Sequence, residues 1–136
     1  MVVRGSGTRL TVALLSAGAV LAGPSLAQER GTKAVPERPA RVYVMSAFDD
    51  ACRPVAGMTI TVSSPAAQGE VTFRDNQPTT VMSSASGRCI GMRVVGTGVY
   101  YTARKGASGT DEFAVTVRLA DGTSSERRFR VMIADD

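Results

Sequence analysis

Cys52 and Cys89 are the two cysteines of a 136-residue chain that contains no histidine. Neither lies in a C-x-x-C motif, so a redox pair or a metal pair has little to build on. An even count in an oxidising compartment reads as one disulfide. Closing the loop of about 37 residues between them stabilises the fold by about 3.5–4 kcal/mol in the chain-entropy view.

The remaining residue types narrow the chemistry further. Without histidine, Ser-His-Asp and Cys-His mechanisms are excluded. A serine–lysine pair would have to use Lys33 or Lys105. The first sits in a polar lead-in and the second in a turn, neither a desolvating setting. Paired carboxylates occur at Asp49-Asp50 and Asp111-Glu112. Adjacent acids on a strand point to opposite faces, so Asp111 and Glu112 do not line one cleft. The chain has no Trp and only 5% aromatic residues, which leaves no sugar platform for a glycosidase. A non-enzymatic protein without a cofactor is the expectation.

Two groups of side chains have the character of binding residues. Arg118, Arg128 and Arg130, with Glu126 nearby, fall on the outward phase of the last two strands. They could meet an acidic glycan, a phosphate-rich surface or a partner protein; as a solvated face they would protect an edge. Tyr100 and Tyr101 are neighbours and must face opposite ways. With Tyr101 in the core, Tyr100 points outward, as an interface anchor or a scattered surface aromatic.

These residues need elements to hold them. Residues 1–27 read as a cleavable signal peptide: Arg4 and Arg9, an apolar run over 10–22, then Gly23-Pro24 and the small residues of Ser25-Leu26-Ala27. The run is too short for a membrane span, which takes about 20 residues. Without Arg4 and Arg9 the formal charge falls from +4 to +2. Export and so small a charge make nucleic acid an unsuitable partner. Residues 28–40, with Pro36 and Pro39, show no period and read as a flexible lead-in.

Residues 41–136 carry short runs rich in Val, Ile, Thr, Tyr and Phe between Gly, Pro, Ser and Asp clusters, the signature of an all-β domain. Met58, Ile60 and Val62 alternate with hydroxyl residues, Val71 and Phe73 with Thr72 and Arg74, and Ile90, Met92 and Val94 with Cys89, Gly91 and Arg93. A period of two buries one face and wets the other, as in a sandwich. Residues 41–47 are apolar on both faces, which places that strand nearer a sheet centre. In the last hairpin, a two-residue Asp121-Gly122 turn would put Phe129, Val131 and Ile133 on the wrong face. A three-residue loop, Ala120-Asp121-Gly122, pairs Phe113 with Phe129, with a bulge at Gly122 in the left-handed conformation.

The stretch YTARKGASGTDEFAVTVRLADG, residues 101–122, resembles the bacterial immunoglobulin-like and cadherin-like repeats of surface proteins. Their pattern is approximately Y-x-P-x-x-G-x-x-G-x-D-x-F-x-Y-x-V followed by D and G. Tyr101, Gly106, Gly109, Asp111, Phe113, Val117, Asp121 and Gly122 match it; Ala103, Ala107 and Val115 depart from it. Upstream, PAAQGEV at 65–71 is similar to the P-x-x-G-x-V element of the same repeats, with one extra residue. The resemblance implies an immunoglobulin-like antiparallel β-sandwich. Together with the signal peptide, which makes the chain periplasmic or secreted, it leads to the expectation of a binding or structural module of the bacterial envelope whose partner is an envelope or extracellular protein or a glycan. The runner-up is an inhibitor or accessory subunit of an exported enzyme or envelope assembly. Such repeats often hold calcium at domain junctions, for which Asp49, Asp50 and Asp111 would converge at one end.

Overall fold

Period-two alternation drives the backbone into seven strands, without a helix among the described residues, 31–84 and 86–135 of this computed structural model. They are β1 (Thr32–Ala34), β2 (Ala40–Met45), β3 (Thr59–Ser64), β4 (Gly69–Thr80), β5 (Arg93–Ala103), β6 (Gly109–Arg118) and β7 (Ser124–Ile133). One sheet runs β1-β7-β6-β3 and the other β2-β5-β4. The strand directions send the β2–β3, β4–β5 and β6–β7 connections to one end and the remaining connections to the other. The signal-peptide reading lies outside the described residues.

The core lies between the two sheets, as in a β-sandwich. Phe113 and Val115 of β6, Val131 and Ile133 of β7, and Ala34 of β1 meet Met45 of β2 and Val99, Tyr101 and Ala103 of β5, all buried. Phe113 stands at the centre. Its ring lies 6.1 Å from Tyr101 across the layers and 5.3 Å from Phe129 within its own sheet. Phe113→Ala is expected to cost about 3–5 kcal/mol, measured by urea unfolding; a near-neutral variant would place this ring outside the packing that holds the layers together.

The hairpin register is the one that the hydrophobic rows demand. Phe113 pairs with Phe129, the Leu119 N–H donates to the Thr123 carbonyl at 2.8 Å, and Gly122 adopts φ +90°. Other expectations need correction. Residues 32–34, inside the expected lead-in, form β1. Its pairing with β7 is parallel, so the sandwich is not wholly antiparallel. Three residues are too few to show a period, yet Ala34 is fully buried.

β2 lies at a sheet margin, and the centre of its sheet is β5. The register shift between Arg41 and Tyr43 explains the misreading. It lets consecutive Val42 and Tyr43 both pack on the core, which from sequence resembles a strand buried on two faces. Ile90 and Met92 are not strand residues either. Cys89 and Gly91 have φ of 68° and 87°, which breaks the extended run, and β5 begins at Arg93.

Candidate functional site

Asp111 is the buried charged side chain of the core, 4% exposed. It starts the inward row of β6, where the β3–β4 connection passes over the end of the sandwich. Its Oδ1 accepts the N–H of Ala67 at 3.0 Å and its own neighbour Glu112 at 2.9 Å. Its Oδ2 accepts the N–H of Gln68 and the hydroxyl of Tyr101, both at 2.8 Å. Burial pushes the carboxyl pKa up, but the Tyr101 hydroxyl and then the three backbone donors outweigh it, so the net direction is down. Burial, and then the hydrogen bond to Asp111, raise the Tyr101 phenol. Both carboxylate oxygens are thus committed to donors within the protein. The group ties a loop to a strand and is not presented to a metal or a substrate.

The calcium triad is not brought together. Asp49 sits in the β2–β3 connection, at the end opposite Asp111, and its Oδ1 accepts the N–H groups of Ala51 and Arg53, each at 2.9 Å. Those backbone bonds, that of Arg53 foremost, outweigh desolvation and lower its pKa. Asp50 is exposed beside it. No cluster of three metal-ligating side chains exists among the described residues.

Tyr100 does point outward, but it is covered, 9% exposed. Gly98 lacks a side chain, and a Cβ there would lie 2.7 Å from the Tyr100 ring. The ring therefore lies flat over Gly98, with the Arg74 guanidinium 4.2 Å above its centroid and its hydroxyl 2.6 Å from Gln77 Oε1. Its large faces are occupied, so the expected anchor is a packed residue. Arg118, Arg128 and Arg130 do share the exposed outer face of β6 and β7; Arg128 and Arg130 lie two residues apart on β7, and Arg118, opposite Ser124, lies four residues from Arg128 along the ladder. The same face carries glutamates: Arg130 pairs with Glu112 at 3.5 Å and Arg128 with Glu126 at 3.9 Å. Half-exposed pairs of this kind add little stability, but they leave only a weak net field for an anionic ligand.

The end of the sandwich that holds the β2–β3 and β4–β5 connections has a different character. Cys52 and Cys89 are joined in a disulfide that links these two loops. Each loop is also ordered internally. In the first, Asp49 N–H donates to the Arg53 carbonyl and Val55 N–H to the Ala47 carbonyl, closing a small hairpin around the Phe48–Pro54 bridge. In the second, the Val81 N–H donates to the Met92 carbonyl and the Gly91 N–H to the Val81 carbonyl, which encloses the turn, and Ser84 Oγ donates to the Arg88 carbonyl at 2.6 Å. The β4–β5 hairpin continues past the last β2 rung, from the Gln77–Gly96 pair to the Thr80–Arg93 pair. On this extension and its neighbours stand Met82 at 82% exposure, Ile90 and Val95 at 58%, Met92 at 45% and Val55 at 42%. By sequence, Ile90 and Met92 fall in an alternating row, and Val55, Met82 and Val95 stand out in no pattern. The available signal was the cysteine pairing, which brings both turn-rich segments to one place.

A shallow open groove of about 560 Å³ lies at the other end, lined by Glu37, Glu70, Thr102, Ala103, Arg104 and Lys105. Its two glutamates are exposed, and the Arg104 guanidinium donates to the Ala67 carbonyl at 3.0 Å. No family model, curated protein or solved structure matches this chain.

Proposed function

We propose that this chain is an exported, non-enzymatic binding module of the bacterial envelope that recognises a protein partner with its disulfide-stapled end. The carrying observation is the set of large apolar side chains exposed on two ordered, cross-linked loops. Apolar side chains gathered on one exposed surface mark interaction sites. Loops already held in place lose little conformational freedom on binding. The order β1-β7-β6-β3 over β2-β5-β4 supports an immunoglobulin-like sandwich, in which one end gathers alternate loops for recognition. The motif around Tyr101, Asp111 and Phe113 supports the same reading. A disulfide fits an oxidising compartment, and the periplasm or the medium follows from the signal-peptide pattern.

The extension of β4 and β5 beyond the sheet favours one second reading. A projecting, stapled hairpin has the shape of an inhibitor segment that enters the cleft of an exported enzyme.

Affinity capture from envelope and secreted fractions, read by mass spectrometry, tests both readings. One dominant partner should be retained by the oxidised protein and by Arg118→Ala, and lost about tenfold or more with Ile90→Glu or Met92→Glu, as for central interface residues. Retention by both glutamate variants, or loss with Arg118→Ala, would refute the assignment of this end.

A further inference from the structure

Both ends of the disulfide sit in a backbone conformation that cysteine does not favour. Among the described residues, positive φ is adopted by six glycines and four other residues. Cys52 and Cys89 are two of those four, at 64° and 68°. In this region the Cβ of an L residue crowds the following carbonyl oxygen.

The chain supplies its own reference for Cys52. In the loop 119–123, the Leu119 N–H donates to the Thr123 carbonyl at 2.8 Å and the Gly122 N–H to the Leu119 carbonyl at 3.0 Å. In the loop 49–53, the Asp49 N–H donates to the Arg53 carbonyl and the Cys52 N–H to the Asp49 carbonyl, both at 2.9 Å. The two turns share one pattern, and Cys52 stands where the other has Gly122 with φ 90°. That place takes glycine by preference. A cysteine holds it here with its sulfur bonded to Cys89. The other ties of this turn are exposed: Asp49 Oδ1 accepts the N–H groups of Ala51 and Arg53, and the Arg53 side chain meets the Asp49 carboxylate in water. Both cysteines are partly exposed, between exposed neighbours, so a thiol can reach them. Neither belongs to the buried cluster that holds the two sheets together.

We propose that Cys52–Cys89 is a reversible redox switch: a dithiol reductant opens it while the sandwich stays folded, and the loops at 46–58 and 81–92 then separate and lose their order. One thiolate of the reductant attacks a sulfur of the bond. The S–S bond breaks, a mixed disulfide forms, and the other cysteine leaves as a thiolate and takes a proton. The second thiolate of the reductant displaces the remaining cysteine, which is protonated in turn. The reductant ends as its own disulfide, and this chain gains two electrons and two protons. Release of the left-handed backbone at both ends favours the reduced state and works against the loop-closure gain of the bond. Strained or exposed disulfides are the readily reduced ones, and this bond has both features. The switch does not rest on the recognition reading, but it acts on the same surface. Opening parts Val55 from Ile90 and Met92, which stand on the two bonded loops.

Glutathione buffers test this on the oxidised full chain at neutral pH, with free thiols trapped by alkylation and counted by mass. Two glutathione molecules supply the thiols of one dithiol. A glutathione pool leaves ordinary structural disulfides closed. It should reduce this one, while β6 and β7 stay protected in amide exchange. The loops at 46–58 and 81–92 should exchange about tenfold faster or more in the reduced chain. Asp49→Ala removes two bonds that only the ordered loop makes, so it should lower the glutathione concentration for half-reduction by about threefold. Asp121→Ala removes the bond to the Thr123 N–H in the matching loop and should leave that concentration unchanged. The proposal is overturned by a chain that stays oxidised in fully reduced glutathione, by one that unfolds as a whole when reduced, or by loops whose exchange does not change. An Asp49→Ala midpoint equal to that of the wild type, or a shift matched by Asp121→Ala, overturns it as well.

Discussion

Asp111→Ala is expected to be among the most damaging single substitutions in this chain, costing about 3–5 kcal/mol at neutral pH. The substitution removes a carboxylate that four donors reach. The Tyr101 hydroxyl lies within the core, and the Ala67 and Gln68 N–H groups hold the β3–β4 connection to the start of β6. Each donor left without an acceptor in a buried site costs about 1–3 kcal/mol. Asp111→Asn keeps an acceptor and loses the charge, so it should fall between wild type and alanine.

The same residue sets part of the acid sensitivity. Its folded pKa lies below the ordinary aspartate value, so the unfolded chain takes up the proton first as pH falls. The stabilisation is complete above the unfolded pKa and disappears as pH drops through the folded one. Urea midpoints at neutral pH and near pH 3 should therefore show the gap between wild type and Asp111→Asn narrowing in acid. A gap that stays constant would mean that the charge contributes nothing beyond shape. Asp49 and Asp121, also lowered by hydrogen bonds to their own loops, remain in both proteins and do not enter the difference.

Asp111 also marks the boundary of what local sequence can convey. One of its donors, the Glu112 N–H, is the next residue in the chain. The donors from Ala67 and Gln68 lie 44 and 43 residues upstream. No period within a strand points to them; they follow from the order of strands in the two sheets. The β6–β7 hairpin was legible in detail because its register depends on neighbours in sequence: two apolar rows and a glycine at the position that needs positive φ. Tyr100 shows the complementary failure. Alternation correctly turned it outward, but outward is not exposed when Gly98 lets the ring lie down and Arg74, from the adjacent strand, roofs it. The projecting apolar end was missed for a related reason. Ile90 and Met92 keep a period of two, while the backbone conformation of Cys89 and Gly91 takes them out of the strand.

Loss of the disulfide should be the other large effect, and it should act most strongly at the stapled end of the sandwich. Replacing both cysteines by alanine is expected to cost about 3.5–4 kcal/mol through the freed loop of the unfolded chain. That is a large share of the roughly 5–15 kcal/mol that holds an ordinary domain together. Part of the gain from the bond is offset in the native state, because Cys52 and Cys89 adopt φ of 64° and 68°. Left-handed backbone at a residue other than glycine costs about 1–2 kcal/mol. Alanine keeps that strain and glycine releases it, so the double glycine variant should recover about 1 kcal/mol relative to the double alanine after its own greater chain entropy is counted. Equal stability of the two variants would mean that the cysteine backbone is relaxed. Amide exchange should separate the local effect from the global one. The core of β6 and β7 should lose protection only in step with overall stability, because it is held by Phe113, Val115 and Val131. The loops at 46–58 and 81–92 should lose more, since the staple is what joins them to each other. Partner capture should then fall further than the folded fraction does. Capture that follows the folded fraction alone would move recognition away from the stapled loops, to a surface that the sandwich holds without them.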